Sequence, residues 1–253
     1  FPEGVTQPKE NLSQKIQNIV NDSSTSEKYS VYVKNLNSGN IEVNLNNERM
    51  QSASLIKLFI MATAYDEKSQ GTEKGSSISE SDIKIMIERS DNDATNRIID
   101  ILGFDTINNY ITSHGYTNTQ LNRKMLEEAT NGDNYTSVED VAKILEEIYN
   151  NQCVNEEYSQ KMLEYLKGQT LTNKIPEGVP DGVEVANKTG ELPGQVQNDA
   201  AIVYKTDTPY ILVVMSSDII SDEDAISNII DISGLVYDNI SATTSSSSAT
   251  QGQ

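Results

Sequence analysis

Residues 54–66 read SLIKLFIMATAYD, an almost continuous apolar run that contains a single lysine, Lys57. A helix that is apolar on every side is usually buried on every side, so this run predicts the central helix of the fold. Lysine is almost never buried without a partner, so Lys57 requires a specific reason for its place. Ser54 and Lys57 lie one helical turn apart, which puts a hydroxyl and an amine on the same face.

Strand and helix patterns flank this helix on both sides. Before it, a helical period and two alternating segments around the turn at 37–40 predict a helix and a β-hairpin. After it come several helical segments, then three alternating segments and an amphipathic helix. The remaining predicted helices lie at 9–21, 94–102, 105–113, 155–168 and 222–240, with two more capped by Ser79 and Ser137, and the predicted strands lie at 29–36, 41–45, 183–192, 199–205 and 210–216.

Strand patterns gather at the two ends of the chain, and helical patterns fill its middle. The simplest arrangement is an α+β fold whose first lobe, residues 9–53 and 183–240, has helices on both faces of one antiparallel sheet. Residues 54–182 then form a second, all-helical lobe, and a cleft between lobes is a common place for an active site. Residues 241–253 are rich in Ser, Thr and Gln, which predicts a disordered tail.

The composition limits the classes of function. The 253 residues include 38 acidic and 19 basic side chains, a formal net charge of −19, which disfavours nucleic acid and anionic membranes as partners. No apolar stretch reaches the ~20 residues of a membrane span. With one histidine, His114, and one cysteine, Cys153, a Ser-His-Asp triad, a disulfide and a His/Cys metal site are disfavoured. We expect no metal and no cofactor, a helix-capping His114 and a half-buried Cys153.

Ser54 and Lys57 form a Ser-x-x-Lys pattern at the start of the buried helix. A serine hydroxyl becomes a good nucleophile when a neighbour takes its proton, and a lysine can do so if burial lowers its pKa. The N-terminus of the helix adds N–H groups for an oxyanion. Ser81 and Lys84 repeat the pattern, but they start an ordinary amphipathic helix. Taken alone, a helix cap with a snorkelling lysine explains Ser54 and Lys57 equally well.

Ser90-Asp91-Asn92 lies between two predicted helices. Ser90 could relay a proton to a leaving group, and the amide of Asn92 could bind a substrate carbonyl. Asp91 is better explained as an acceptor for backbone N–H groups. Taken alone, this tripeptide fits a polar helix junction.

Lys188-Thr189-Gly190 interrupts a predicted strand with two polar residues and a glycine. Lys188 and Thr189 could bind a substrate carboxylate, and Lys188 would lower the pKa of Lys57. Gly190 suggests close approach of a ligand backbone. The N–H of Glu191 could join that of Ser54 in an oxyanion hole. The alternative is a β-bulge with an exposed lysine.

Together and in this order, the three motifs resemble the Ser-x-x-Lys, Ser-Asp-Asn and Lys-Thr-Gly set of class A β-lactamases and penicillin-binding proteins. The resemblance covers about residues 9–240 and implies a β-lactamase/transpeptidase-like fold. It implies that Ser54 opens a β-lactam ring through an acyl-enzyme, with Lys57 as general base and Ser90 as proton donor. Asn92, Lys188 and Thr189 would bind the substrate. It also implies a monomer that acts outside the cytoplasm.

The resemblance fails at one functional position. Residues 119–123 resemble the entry to the Ω loop of class A enzymes, which carry a glutamate two residues after the arginine to activate the deacylating water. Here that position is Met125, so we expect slow deacylation. Glu127 or Glu128 could replace the missing base if the loop is rearranged. We also expect Arg123 to pair with Asp133 and close the loop.

Three functions remain open at this point. The first is a β-lactamase that hydrolyses small-molecule β-lactams. The second is a D-Ala-D-Ala peptidase or penicillin-binding protein that acts on peptidoglycan stem peptides, which Met125 favours. The third is a non-catalytic cell-wall-binding relative, and the complete set of motifs argues against it.

Overall fold

The computed structural model describes residues 10–21 and 26–241, so the tail predicted at 241–253 lies outside the described residues except for its first residue. The strands are β1 (Lys28–Asn35), β2 (Ile41–Leu45), β3 (Met50–Gln51), β4 (Tyr135–Thr136), β5 (Val185–Leu192), β6 (Val196–Val203) and β7 (Tyr210–Ser217). The helices are α1 (Leu12–Asn21), α2 (Ile56–Ser69), α3 (Glu73–Ser77), α4 (Glu80–Glu88), α5 (Asn92–Leu102), α6 (Phe104–Ser113), α7 (Val138–Tyr149), α8 (Glu156–Lys167) and α9 (Asp222–Asn239).

One five-stranded antiparallel sheet combines the two ends of the chain. Its strand order is β2-β1-β7-β6-β5, so the N-terminal hairpin pairs with the C-terminal strands. β1 and β7 pair along their full length, from Lys28 opposite Ser217 to Asn35 opposite Tyr210. The hairpin and the single sheet predicted from the terminal segments are confirmed.

Both faces of this sheet are covered, and every residue of β6 and β7 is therefore buried. Val213 and Met215 share one core with the central helices, whereas Leu212 and Val214 pack on the other side with residues of α1 and α9. This alternation is what a strand requires when helices cover both its faces. The α+β fold class with a three-layer lobe is confirmed.

Helix α2 is the centre of the helical block. Ten consecutive residues, Ile56 to Tyr65, are buried, as the apolar run predicted. Each large apolar side chain buried in this way contributes about 1.5–3 kcal/mol relative to an exposed one. Because α2 packs on every side, its first turn is held in a fixed position relative to the sheet.

The predicted helix caps are present. Ser79 accepts a hydrogen bond from Asp82 N at 3.1 Å, and Ser137 accepts one from Asp140 N at 3.2 Å. His114 caps α6: its Nδ1 lies 2.8 Å from Tyr110 O, and its ring stacks on Tyr110. A side-chain cap stabilises a helix by about 1 kcal/mol, so these residues define where the helices start and end.

Some expectations were wrong in detail. The sequence patterns predicted neither α3 at residues 73–77, a helix too short to show a period, nor the 3₁₀ helix at Ile175–Gly178. β6 begins at Val196, three residues before the predicted strand. Cys153 is completely rather than half buried, and this burial raises the pKa of its thiol to about 12. Among the described helices, none is long and apolar enough to cross a membrane.

Candidate active site

Ser54 lies in a short 3₁₀ turn, Ala53–Leu55, which leads directly into α2. Two asparagines fix the backbone before it: Ser52 N donates to Asn134 O at 2.9 Å, and Asn198 Nδ2 donates to the carbonyls of Gln51 and Ser52 at 3.2 Å each. Ala53 is held at φ 44°, a left-handed conformation that costs a non-glycine residue about 1–2 kcal/mol. The turn is therefore held in a strained shape that leaves Ser54 half-exposed.

Gly190 brings strand β5 against this turn. A Cβ atom built on Gly190 would lie 2.9 Å from Ser52 O, closer than real Cβ atoms approach, and 3.1 Å from Ser54 N, which is tighter than most real contacts. The sequence suggested that a ligand backbone approaches this glycine, but the backbone that approaches it is the segment carrying Ser54. This contact puts Glu191 next to the nucleophile, where its N–H was expected.

Lys57 is fully buried one turn below Ser54. Its ammonium donates hydrogen bonds to Ser90 O at 2.8 Å, Ser90 Oγ at 2.9 Å and Asn92 Oδ1 at 2.8 Å. Burial lowers the pKa of Lys57 to about 7, although the charge of Asp91 opposes this shift. Lys57 can therefore lose its proton near neutral pH, as a general base must.

Ser90 connects Lys57 with the third motif. Lys188 Nζ donates to Ser90 Oγ at 3.0 Å and to Thr189 O at 2.8 Å. The pKa of Lys188 lies well below its ordinary value because the side chain is completely buried and because Lys57 is close. With two amines donating to its oxygen, the hydroxyl of Ser90 keeps its own proton for a further acceptor. There is no bulge in this part of β5, and Lys188 is not exposed.

Asp91 and Asn92 begin helix α5. Asp91 is its N-cap and accepts a hydrogen bond from Ala94 N at 2.8 Å, the backbone role predicted for it. Because the Oδ1 of Asn92 accepts from Lys57, its Nδ2 is the end available to a substrate. Asn92 lines the same cleft as Ser54, Glu191 and Leu192, a cleft with about 430 Å³ of empty space.

Thr189 is as deeply buried as Lys188. The two side chains are 1% and 0% exposed, and neither lines the cleft. Both belong to the edge strand β5, and only the side chain of Lys188 makes a hydrogen bond to a predicted site residue of another motif, Ser90. The structure therefore brings Ser54, Lys57, Ser90, Asn92, Lys188, Gly190 and Glu191 together, with Thr189 beside them in the strand.

The loop opposite the nucleophile is closed by the predicted ion pair. Arg123 Nε lies 2.8 Å from Asp133 Oδ1, and both side chains are mostly buried. Although burial raises the pKa of Asp133, hydrogen bonds from Arg123 and Gln51 hold it below its ordinary value. Asn134 adds a hydrogen bond to Arg123 O at 3.1 Å. The pairing of Arg123 with Asp133 is confirmed.

Met125 faces Ser54 across the cleft. Asn96 of α5 holds the backbone of Met125 at both ends, accepting from its N–H at 2.8 Å and donating to its carbonyl at 3.1 Å. Leu126 follows at φ 65° with 84% of its surface exposed, and it also lines the cleft. The loop side of the cleft thus presents a thioether and an isobutyl group where a carboxylate is expected in class A enzymes.

Glu127 and Glu128 do not lie with the other site residues. Both are exposed and line a different depression, behind the loop. Glu127 is paired with Lys124 at 3.7 Å. Within the part of the chain that the structure describes, neither carboxylate lines the cleft of Ser54.

The sequence matches the model of the beta-lactamase enzyme family over residues 11–77 and 73–240, which is most of the chain. The chain belongs to the beta-lactamase family. It is a β-lactamase-like serine hydrolase. A comparison with curated proteins finds no match.

Solved structures of this family have the same fold. PBP-A is 26% identical, with a TM-score of 0.79 over 92% of this chain and 98% of its own. The β-lactamase of Sphaerobacter thermophilus DSM 20745 is 21% identical, with a TM-score of 0.78 over 89% of this chain and 95% of its own. An ancestral class A β-lactamase is 20% identical, with a TM-score of 0.79 over 91% of this chain and all of its own. The latter two likenesses concern the fold alone.

Sequence reasoning missed three asparagines that position the site of this family member. Asn96, Asn134 and Asn198 each hold backbone atoms through side-chain hydrogen bonds. No local sequence pattern singled out Asn96 or Asn134. No cluster of His, Cys, Asp or Glu able to hold a metal ion occurs in residues 10–21 or 26–241.

Proposed function

We propose that Ser54 attacks the carbonyl of a β-lactam ring and forms an acyl-enzyme that is hydrolysed slowly. The observation that carries this proposal is Lys57: a buried lysine one turn from a half-exposed serine, with a pKa of about 7 and hydrogen bonds to Ser90 and Asn92. A helix cap with a snorkelling lysine does not explain it, because a snorkelling lysine extends to water.

The residues support a sequence of proton transfers. Neutral Lys57 takes the proton of Ser54 as the hydroxyl oxygen bonds to the lactam carbon. The developing oxyanion accepts hydrogen bonds from the N–H groups of Ser54 and Glu191. Ser90 then gives its proton to the lactam nitrogen as the C–N bond breaks, and it regains a proton from Lys57. Asn92 binds the side-chain amide of the substrate, whereas Lys188 and Thr189, which were expected to bind its carboxylate, are buried and do not line the cleft.

Deacylation lacks an evident base. Met125 stands where class A enzymes place the glutamate that activates water, and a thioether does not accept a proton. Asp133, which also lines the cleft, accepts from Arg123, Gln51 and its neighbour Asn134. A carboxylate held by three donors at a lowered pKa is a poor base, so we propose that the acyl-enzyme is long-lived.

A second candidate function rests on Met125. A D-Ala-D-Ala peptidase or penicillin-binding protein needs acylation but is trapped by penicillin, and Met125 fits that behaviour. A mutant of PBP-A, 25% identical with a TM-score of 0.80 over 90% of this chain and 95% of its own, is known as an acyl-enzyme complex with penicillin G. Peptidoglycan stem peptides are the natural substrate in this case. Either function would be carried out by a monomer outside the cytoplasm.

The deciding experiment follows the intact mass of the protein after penicillin G is added. A one-to-one adduct that decays over hours, absent in Ser54→Ala and present in Ser81→Ala, supports slow β-lactam hydrolysis. The second serine is a matched control because it stands in the other Ser-x-x-Lys pattern, exposed on α4. An adduct that never decays supports the penicillin-binding function. Absence of any adduct contradicts both, and leaves the non-catalytic relative.

A further inference from the structure

The most exposed large apolar side chain of the described residues stands at the edge of the active-site cleft. Leu126 is 84% exposed, and it lines the cleft together with Ser54 and Asn92. The next residue, Glu127, lines the depression behind the loop instead, so the loop turns the leucine toward the cleft and the glutamate away from it. A single exposed leucine is ordinary on a protein surface, but at a ligand cleft it offers apolar surface to the molecule that binds there.

The backbone at Leu126 does not favour a leucine. Glu127 N donates to Lys124 O at 3.4 Å and closes a turn whose third residue is Leu126, at φ 65°. This position of a turn favours glycine or asparagine, because other side chains are strained in the left-handed region. Since the leucine side chain is also not buried, neither the turn nor the hydrophobic core accounts for it.

The charged side chains of the cleft already have partners. Arg123 is paired with Asp133, and Glu191 is paired with the buried ammonium of Lys174 at 2.9 Å. No other charged side chain among the described residues lines the cleft. The apolar residues that line it are Ala53, Met125, Leu126 and Leu192. Of these four, Leu126 alone is an exposed residue, so it carries the largest apolar surface that a ligand can cover.

Helix α5 places Leu126 on the acyl side of the scissile bond. Asn92, proposed to bind the side-chain amide of the substrate, lies one helical turn from Asn96, which holds the backbone of Met125. The group attached to that amide therefore lies next to the loop, beside the residue that follows Met125. Both candidate substrate classes carry a group there: the substituent on the side-chain amide of a penicillin, and the residue before the terminal D-Ala-D-Ala of a stem peptide.

We infer that Leu126 is a specificity-determining residue that packs against an apolar group on the acyl-side amide of the substrate. Acyl donors with an aromatic or aliphatic group at this place are the preferred substrates. The contact removes apolar surface of both partners from water, and a contact the size of one or two methylene groups changes a rate on the order of tenfold. This inference rests on the proposed acylation of Ser54 and adds the substrate class that the acyl side of the site selects.

The test compares benzylpenicillin with its analogue in which a methyl group replaces the benzyl group. The two compounds share the β-lactam ring, the side-chain amide and the carboxylate, so only the apolar group differs. The quantity is the ratio of their second-order rate constants for acylation of Ser54, measured by intact mass in the wild type and in Leu126→Asn. Asparagine has nearly the shape of leucine and suits the left-handed turn, so this variant should fold. The benzyl-to-methyl ratio is expected to fall ~5–10-fold in Leu126→Asn.

Two further variants are the controls. Leu126→Met keeps an apolar side chain of similar size, and its ratio should stay within twofold of the wild-type ratio. Ile220→Ala removes an apolar side chain that is 66% exposed but does not line the cleft, and its ratio should equal that of the wild type. A ratio in Leu126→Asn within twofold of the wild type would overturn the inference while leaving the proposed acylation intact. If neither compound labels any of the proteins, the proposed function is wrong, and the inference is wrong with it.

Discussion

The two walls of the cleft are built from different chemistry. The wall made by the starts of α2 and α5 and by β5 is polar and hydrogen-bonded: Lys57, Ser90 and Lys188 form one continuous network. The wall made by the loop presents Met125 and the exposed Leu126 beside Arg123 and Asp133, which are paired with each other. The backbone of both walls is held in position, so the walls differ in side-chain chemistry and not in conformational order.

This contrast separates two steps that share one serine. Acylation needs a base, an oxyanion hole and a proton donor, and the residues proposed for these roles all lie in the polar wall. Deacylation additionally needs a base that faces water on the loop side, where Met125 is apolar and Asp133 is held by Arg123 and Gln51. A protein of this design can keep the first step while losing the second, because different elements of the fold carry them.

Substitution of Lys57 should have the largest effect on the rate of acylation. In Lys57→Met the base is lost, and acylation by penicillin is expected to fall by ~10³-fold, within the range of general-base contributions. Intact-mass kinetics measures it. Lys84→Met, in the exposed Ser-x-x-Lys pattern, should acylate at the wild-type rate. Equal rates in Lys57→Met and the wild type would show that the polar wall uses another base.

Met125→Glu tests the opposite wall. The backbone of residue 125 is already held by Asn96, so a carboxylate at this position would face the acyl-enzyme. Decay of the adduct is expected to accelerate by ~10²-fold, with little change in its formation. Met125→Gln, similar in size but not a base, is the control. If both variants decay at one rate, general-base catalysis is not what the loop lacks.

The pH dependence should distinguish the two steps. Burial places the pKa of Lys57 at about 7, and the base must be neutral to act. Acylation should therefore slow by about tenfold for each pH unit below 7 and level off above it. Adduct decay should not share this profile if Lys57 has no part in it. An acylation rate that is flat from pH 5 to 8 would contradict Lys57 as the base.

Arg123→Ala should give the smallest effect on chemistry. Loss of the ion pair with Asp133 leaves a partly buried carboxylate without its cation, which should cost about 1–3 kcal/mol of unfolding free energy. Thermal and urea unfolding measure it. Acylation should change by less than threefold, because the polar wall does not include the loop. A large loss of acylation with little loss of stability would show that the walls are coupled.

Much of the fold could be predicted because its signals are local. The apolar run of α2 and the caps at Ser79 and Ser137 depend on neighbours within one or two turns, and all are confirmed. The five-residue α3 was missed because it is shorter than two helical periods. The two-residue strands β3 and β4 were missed because a pair of residues shows no alternation.

The site residues were predicted unevenly because only some of them belong to local sequence patterns. Motif spacing pointed to Ser54, Lys57, Ser90 and Lys188, which the fold brings together although more than 130 positions separate the first from the last. Asn96 and Asn134 carry no such signal, because a side chain that holds a distant backbone shows no period. The pairing of Lys174 with Glu191 likewise joins residues that no local pattern connects.

The two hydrogen bonds between Asn96 and the backbone of Met125 have an evolutionary consequence. Because Asn96 binds backbone atoms, its two hydrogen bonds to the loop do not require a methionine side chain at position 125. Selection by an antibiotic could then act on a single codon without rebuilding the loop. Methionine and glutamate codons differ by more than one nucleotide, so a lineage would pass through an intermediate such as valine or lysine. On the proposed function, a scaffold that traps penicillin is a short mutational path from one that destroys it.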